Sequence, residues 1–226
     1  MEPVTLTVVS AGLGKPSSTR LLADRLVEAV VRRLDARTGE LTHAEAQPRP
    51  GGGSVQVRVV ELRDLATEIA HHLVTGFPGP ALREALESVE RADALIAVTP
   101  IFAASYSGLF KSFFDVLDRE ALDGTPVLLG ATGGTARHSL ALEYALRPLF
   151  AHLRAAPVPT AVFAASEDWA GGDAHTADLP SRIDRAAGEL AALVGAAPAV
   201  RKPRDGSPRD EEVVPFADQL AALGVQ

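Results

Sequence analysis

Residues 4–34 read VTLTVVSAGLGKPSSTRLLADRLVEAVVRRL, and the fold follows from the change of rhythm inside them. Val4 to Ser10 is dense in β-branched residues, whereas Leu22, Leu26, Ala29, Val30 and Leu34 recur at helical spacing, with Ser18 or Thr19 available as a cap. A strand leads through a Ser/Gly loop into a helix. The same alternation repeats down the chain and predicts an α/β fold, a three-layer doubly wound parallel sheet with helices on both faces. Further strands are expected at Val55–Glu61, Ala94–Val98, Val127–Gly130 and Ala161–Phe163. Helices are expected over Pro80–Arg91, Ser107–Asp118, His138–Leu153 with a kink at Pro148, and Pro180–Val194. Residues 62–79 carry no decisive pattern.

The 226 residues suit one generous domain, expected over 1–197, and 46% hydrophobic content can bury a sizeable core. A charged tail, 198–226, follows and ends in a short amphipathic piece around Phe216–Leu223. Inside the domain, residues 35–54 read DARTGELTHAEAQPRPGGGS. Their Pro, Gly and polar content predicts a mobile surface insertion. The absence of cysteine excludes thiolate nucleophiles, disulfides and iron–sulfur ligation. A formal charge of −7 repels a nucleic-acid backbone, so no nucleic-acid partner is expected. No apolar run approaches the ~20 residues of a membrane span, and the start lacks the pattern of a signal peptide. A cytoplasmic location is the expectation.

Three strand ends carry unusual residues. The first, Ser10 to Arg20, holds the hydroxyls of Ser10, Ser17, Ser18 and Thr19 with the cations Lys15 and Arg20, at a helix N-terminus whose free N–H groups suit an anion. It reads equally as a Ser-rich turn with an N-cap. Val9 stands where a Walker A loop needs glycine, and Pro16 follows Gly14-Lys15 in place of Ser or Thr. Gly12, Gly14 and Ser17 supply only two glycines of a dinucleotide GxGxxG, so a terminal phosphate fits better than a pyrophosphate.

The second, Thr99 to Gly108, leaves its strand stiffly through Pro100 and offers amides to the edge of a flat ring, with Phe102 or Tyr106 as a wall. The alternative is a strand-to-helix turn with its aromatics in the core. The third is GATGGT, Gly130 to Thr135, whose glycines either make a tight turn or keep space clear above a ligand. All three loops fall on strands that are neighbours in the order 2-1-3-4-5, where a flavodoxin-like sheet holds FMN at its switch point. Together they describe a mononucleotide with a planar head.

At TPIFAASYSGLFKSFFDVLD (99–118), at GATGGTARHSLALEYALRPLF (130–150) and at the Ser/Thr-rich first loop, the chain resembles the NAD(P)H-dependent FMN reductases of the flavodoxin-like class. It is most similar to reductases that feed luciferase-like flavin-dependent monooxygenases. The resemblance runs from strand one to about Ala165. It implies FMN as flavin, NADPH or NADH as hydride donor, a flavin-dependent monooxygenase as possible partner, and a homodimer or homotetramer. It also implies that Ser10, Ser17, Thr19 and Arg20 hold the phosphate and that Pro100, Ile101, Phe102 and Ser105 line the isoalloxazine. Thr132, Gly133 and Gly134 would then follow the pyrimidine edge. Two departures stand out, Phe102 where the family usually has Tyr and a longer Gly-Leu-Gly-Lys-Pro route in the first loop. Tyr144 matches a tyrosine that relatives carry near a subunit interface by the flavin; otherwise it is an ordinary packed aromatic.

Hydride transfer from nicotinamide to flavin N5 needs no side-chain acid or base, so no catalytic side chain is expected. Amides from Thr132 to Gly134 would stabilise the negative charge of the reduced ring. Adjacent His71 and His72 lack the i, i+4 spacing of a metal pair and read as solvated. No GxSxG elbow is present, and Ser105 and Ser107 have no base. Alternatives to a flavin-releasing reductase are an FMN-retaining reductase of quinones, azo dyes or metal ions, and a flavodoxin-type electron carrier.

Overall fold

The computed structural model describes residues 3–42, 55–169 and 178–196. Five parallel strands, β1 (Val4–Ser10), β2 (Val55–Glu61), β3 (Ala94–Phe102), β4 (Pro126–Gly133) and β5 (Val162–Ala165), lie in the order 2-1-3-4-5. This is the expected doubly wound sheet. A two-residue piece, Ala156–Pro157, pairs with Pro126–Val127 and continues the β5 edge. Another, Ser105–Tyr106, folds back antiparallel on the end of β3.

Successive strand residues feed opposite cores. Leu6, Val8, Ile96, Val98 and Leu128 pack with Leu22, Leu26 and Val30 of α1 (Ser18–Thr42) and with Ile183 and Leu190 of α6 (Asp178–Ala196). Val9, Leu95, Val127 and Leu129 face the other layer. That layer comprises α2 (Ala66–Thr75), α3 (Pro80–Glu90), α4 (Gly108–Asp115) and α5 (Arg147–His152). Its centre is an aromatic cluster, with Phe110 and Phe150 flanking Phe114 at ring separations of 4.7 and 4.9 Å. Fully burying such rings contributes on the order of 2–3 kcal/mol each.

Several boundaries differ from the sequence reading. Helix α1 continues to Thr42 and takes in residues 35–42, all of which the sequence assigns to the mobile insertion. The prolines and the Gly run of that window all lie after residue 47, so its first part contains only Gly39 against helix formers, a cost of about 1 kcal/mol. The rest of the expected insertion and the expected tail lie outside the described residues. Residues 62–79 form a 3-10 turn, Leu62–Leu65, then α2, which stops at Gly76 in the left-handed region (φ 77).

The expected long kinked helix over His138–Leu153 is three pieces: a 3-10 turn at Ala136–His138, a π-helical turn at Leu142–Leu146, and α5 with Pro148 in its first turn. Proline lacks an N–H and its ring crowds the carbonyl one turn back, and the wide π turn lies where a regular helix would meet that conflict. β3 runs four residues past Val98 to Phe102. The amide of Ala11 donates to the Val98 carbonyl at 2.9 Å, so Val98 and, two residues on, Pro100 turn their polar edges toward β1. β1 has ended there, and proline forfeits no ladder bond.

Candidate functional site

The first loop is folded against its own helix. A Cβ on Gly12 would lie 2.0 Å from Ser17 Oγ and 3.1 Å from Thr19 Cβ, so only glycine permits this return. Ser17 is the cap: its Oγ accepts from the Arg20 amide at 3.2 Å, whereas the sequence offered Ser18 or Thr19. The amides of Ser18 and Thr19, in the same first turn, have no acceptor within the helix. Ser10 is fully buried at the end of β1, and its hydroxyl has no hydrogen-bond partner. A buried orphan hydroxyl beside a helix N-terminus fits a phosphate ligand.

Thr19 Oγ1 lies 2.8 Å from Thr132 Oγ1, both side chains being buried. This hydroxyl pair ties the first loop to the third across 113 residues. Thr132 in turn is the register partner of Pro100 on β3. Thr19 of α1 and Thr132 and Pro100 at the tips of two neighbouring strands are therefore linked in turn. With one of its hydroxyl's hydrogen bonds made to Thr19, Thr132 offers a ring its main chain and the hydroxyl's remaining capacity.

Arg20 is held elsewhere. Its Nε donates to Asp24 Oδ1 at 2.7 Å and its Nη1 to Glu61 Oε1 at 2.5 Å, and these bonds, Asp24 first, raise its pKa above the ordinary guanidinium value. Arg63, which the sequence reading passed over, donates from Nη1 to the Gly14 carbonyl at 2.8 Å and fastens the loop from outside. A cavity of about 240 Å³ opens here between Lys15, Ser17, Arg20 and Arg63. Nothing in the LRDL context of Arg63 marks this contact, which depends on β2 lying beside β1.

The second loop is a hairpin. Phe102 pairs with Ser105, and between them Ala103 (φ 48) and Ala104 (φ 68) both occupy the left-handed region. Two successive positive φ values make a primed turn, which normally takes Asn-Gly, and alanines there hold strain of the kind found at functional sites. The two aromatics separate: Tyr106 packs on the core, 6.0 Å from Phe110, while Phe102 stands half-exposed. Ile101 is partly buried against the same core. Behind the hairpin, buried Thr99 Oγ1 accepts from the Ser107 amide at 3.1 Å, and Ser107 caps α4 by accepting from the Phe110 amide at 3.2 Å.

In the third loop a Cβ on Gly133 would meet Phe163 Cζ at 2.9 Å, while Gly134 has open space beside it. The glycines thus serve both uses, one for close packing and one for clearance. Beyond them, Tyr144 is 79% exposed on the π turn and is no packed aromatic of this chain. Beside it Arg147 donates to Glu143 at 2.6 Å and to the Val158 and Pro159 carbonyls at 3.1 and 2.9 Å. The Arg147 bond holds the Glu143 carboxyl below its ordinary value. His138 is exposed, and His71 Nδ1 sits 3.3 Å from Thr75 Oγ1. Among the described residues no three His, Cys, Asp or Glu side chains are grouped to hold a metal.

The profile of the NADPH-dependent FMN reductases matches residues 4–170. The chain belongs to that family. An NADH-dependent FMN reductase, SfnE, of Pseudomonas putida is 33% identical over 88% of this chain and 97% of its own length. An FMN reductase (NADPH) of Pseudomonas aeruginosa is 34% identical over 86% and 94%. A solved oxidoreductase from Corynebacterium diphtheriae shares 44% of residues at a TM-score of 0.77, covering 88% of this chain and all of the other. As a member of the family this chain is an NAD(P)H:FMN oxidoreductase, with FMN and a reduced nicotinamide nucleotide as its ligands. The hydroxyl cradle and the glycine-cleared strand tips fit that flavin.

Proposed function

We propose that this reductase takes FMN as an exchanging substrate and passes the reduced flavin to a flavin-dependent monooxygenase. Bound FMN supplies the hydride acceptor at its N5. The chain supplies grip and orientation. Ser10, Ser17, Thr19 and Arg20 hold the phosphate, helped by the first-turn amides of α1. Pro100, Ile101, Phe102 and Ser105 line the ring, and main-chain donors from Thr132 to Gly134 stabilise negative charge at its pyrimidine edge.

The observation that carries the exchange reading is the pairing of half-exposed Phe102 with the open space at Gly134, which leaves the ring site accessible. A carrier that retains its flavin would enclose the ring instead. The small side chains of Ala103 and Ala104 beside it leave room for the nicotinamide. The assembly is a homodimer or homotetramer in which exposed Tyr144 meets a second copy near the flavin. Among the described residues no helix is long and apolar enough to cross a membrane, and the cytoplasm is the proposed location.

Steady-state oxidation of NADH and NADPH with FMN, FAD and riboflavin as acceptors tests the reading. The purified protein is expected to be colourless and its rate to rise with added FMN. A yellow protein that turns over only with a second acceptor would establish the FMN-retaining alternative.

A further inference from the structure

We infer that Glu61 sets the affinity for the flavin phosphate, keeping it low enough for FMN to exchange. The inference rests on the proposed assignment of the first loop as the phosphate cradle. Glu61 ends β2 and is the register partner of Ser10 at the end of β1. On β1, Leu6 and Val8 point toward α1, and on β2 Val55 packs into the same core. Counting by twos along each strand brings Ser10 and Glu61 onto that one face, side by side. The buried orphan hydroxyl of the cradle therefore has a carboxylate as its neighbour.

Lys15 and Arg63 favour an anion at this cavity, and the charge cluster centred on Arg20 works against them. One guanidinium, Arg20, serves two carboxylates, Asp24 and Glu61, so the trio is net negative. The Glu61 side chain is only 14% exposed, and its Oε2 is buried without a hydrogen-bond partner. Its field is thus weakly screened. Arg20 does not need Glu61 to be held in place, because Asp24 already tethers its Nε one helical turn away. What Glu61 adds is a negative charge that occupies an Arg20 donor and repels a dianion. Repulsion scales with both charges on the phosphate, whereas the tether spares the rotamer freedom of one side chain, so repulsion is the larger effect.

Glu61→Gln keeps the shape and one acceptor oxygen for Arg20 while removing the charge. Titration of the full chain with FMN and with riboflavin, read by flavin fluorescence, is expected to show FMN binding tightened about tenfold or more and riboflavin binding little changed. Unchanged or weaker FMN binding overturns the inference, and so does equal tightening of both flavins, which would mean a reshaped ring site. Where Glu61→Gln does not give a cooperative melt, Glu61→Ser carries the same test. A wild-type chain that binds neither flavin saturably sinks the cradle itself, a result separate from a variant that binds FMN no more tightly.

Discussion

The first and second loops are built on opposite plans. The first is fastened at every turn: Gly12 folds it back, Ser17 caps the helix, Thr19 bonds to Thr132, and Arg63 grips Gly14. The second stands on one strained hairpin, with Ala103 and Ala104 in the left-handed region and Phe102 turned outward. On the proposed reading, the fastened loop is the end that takes the flavin phosphate and the open one admits and discharges the ring.

Gly12→Ala is the severest way to break the contrast. Its Cβ would displace Ser17 from the cap and press on Thr19, costing roughly 2–4 kcal/mol between overpacking and the lost cap. Chemical denaturation should show the loss, and FMN binding should weaken far more than the fold.

Thr132→Val comes next. It leaves the buried Thr19 hydroxyl without a partner at a cost of about 1–3 kcal/mol, and the Thr19→Val/Thr132→Val double variant should recover part of that stability. Additive losses in the double-mutant cycle would show that the two hydroxyls do not act as a pair.

The hairpin responds in the other direction. Replacing Ala103 and Ala104 with glycine relieves left-handed strain that matches or exceeds the added entropy of the unfolded chain, so stability should hold or rise by up to about 1 kcal/mol. A clear fall in melting temperature would show that the alanines hold the turn through their methyl groups.

The smallest effect lies outside both loops. Arg147 keeps the Glu143 carboxyl below its ordinary value, so as pH falls the unfolded chain takes up that proton first. The contribution of the pair is complete above the ordinary glutamate range and fades as pH drops through the lowered folded value. Glu143 is half-exposed, so wild type and Glu143→Gln should differ by a few tenths of a kcal/mol at neutral pH and converge in acid.

The fold was legible because β1 and β2 announced themselves through β-branched density, the buried strands as short apolar runs, and α1 and α6 through their period. The hydroxyl-rich first loop and the glycine pair of the third stood out by residue type alone. What stayed hidden was produced by pairing distant segments. Arg63 meets Gly14 only because β2 lies against β1, and Arg20 is diverted to Glu61 by the same neighbour. The left-handed alanines were invisible for a different reason: alanine seldom accepts that geometry, and only the pairing of Phe102 with Ser105 imposes it. Tyr106 was a candidate wall until the hairpin turned it into the core.

Pro100 has one more consequence. Where β3 outlasts β1, the flank of a longer strand is bare, and bare flanks invite another extended segment to zip alongside. An imino ring at that spot offers nothing to such a segment, so the pairing of Ser105–Tyr106 with β3 stops at Ile101, and on the proposed reading the notch beyond is left to the flavin.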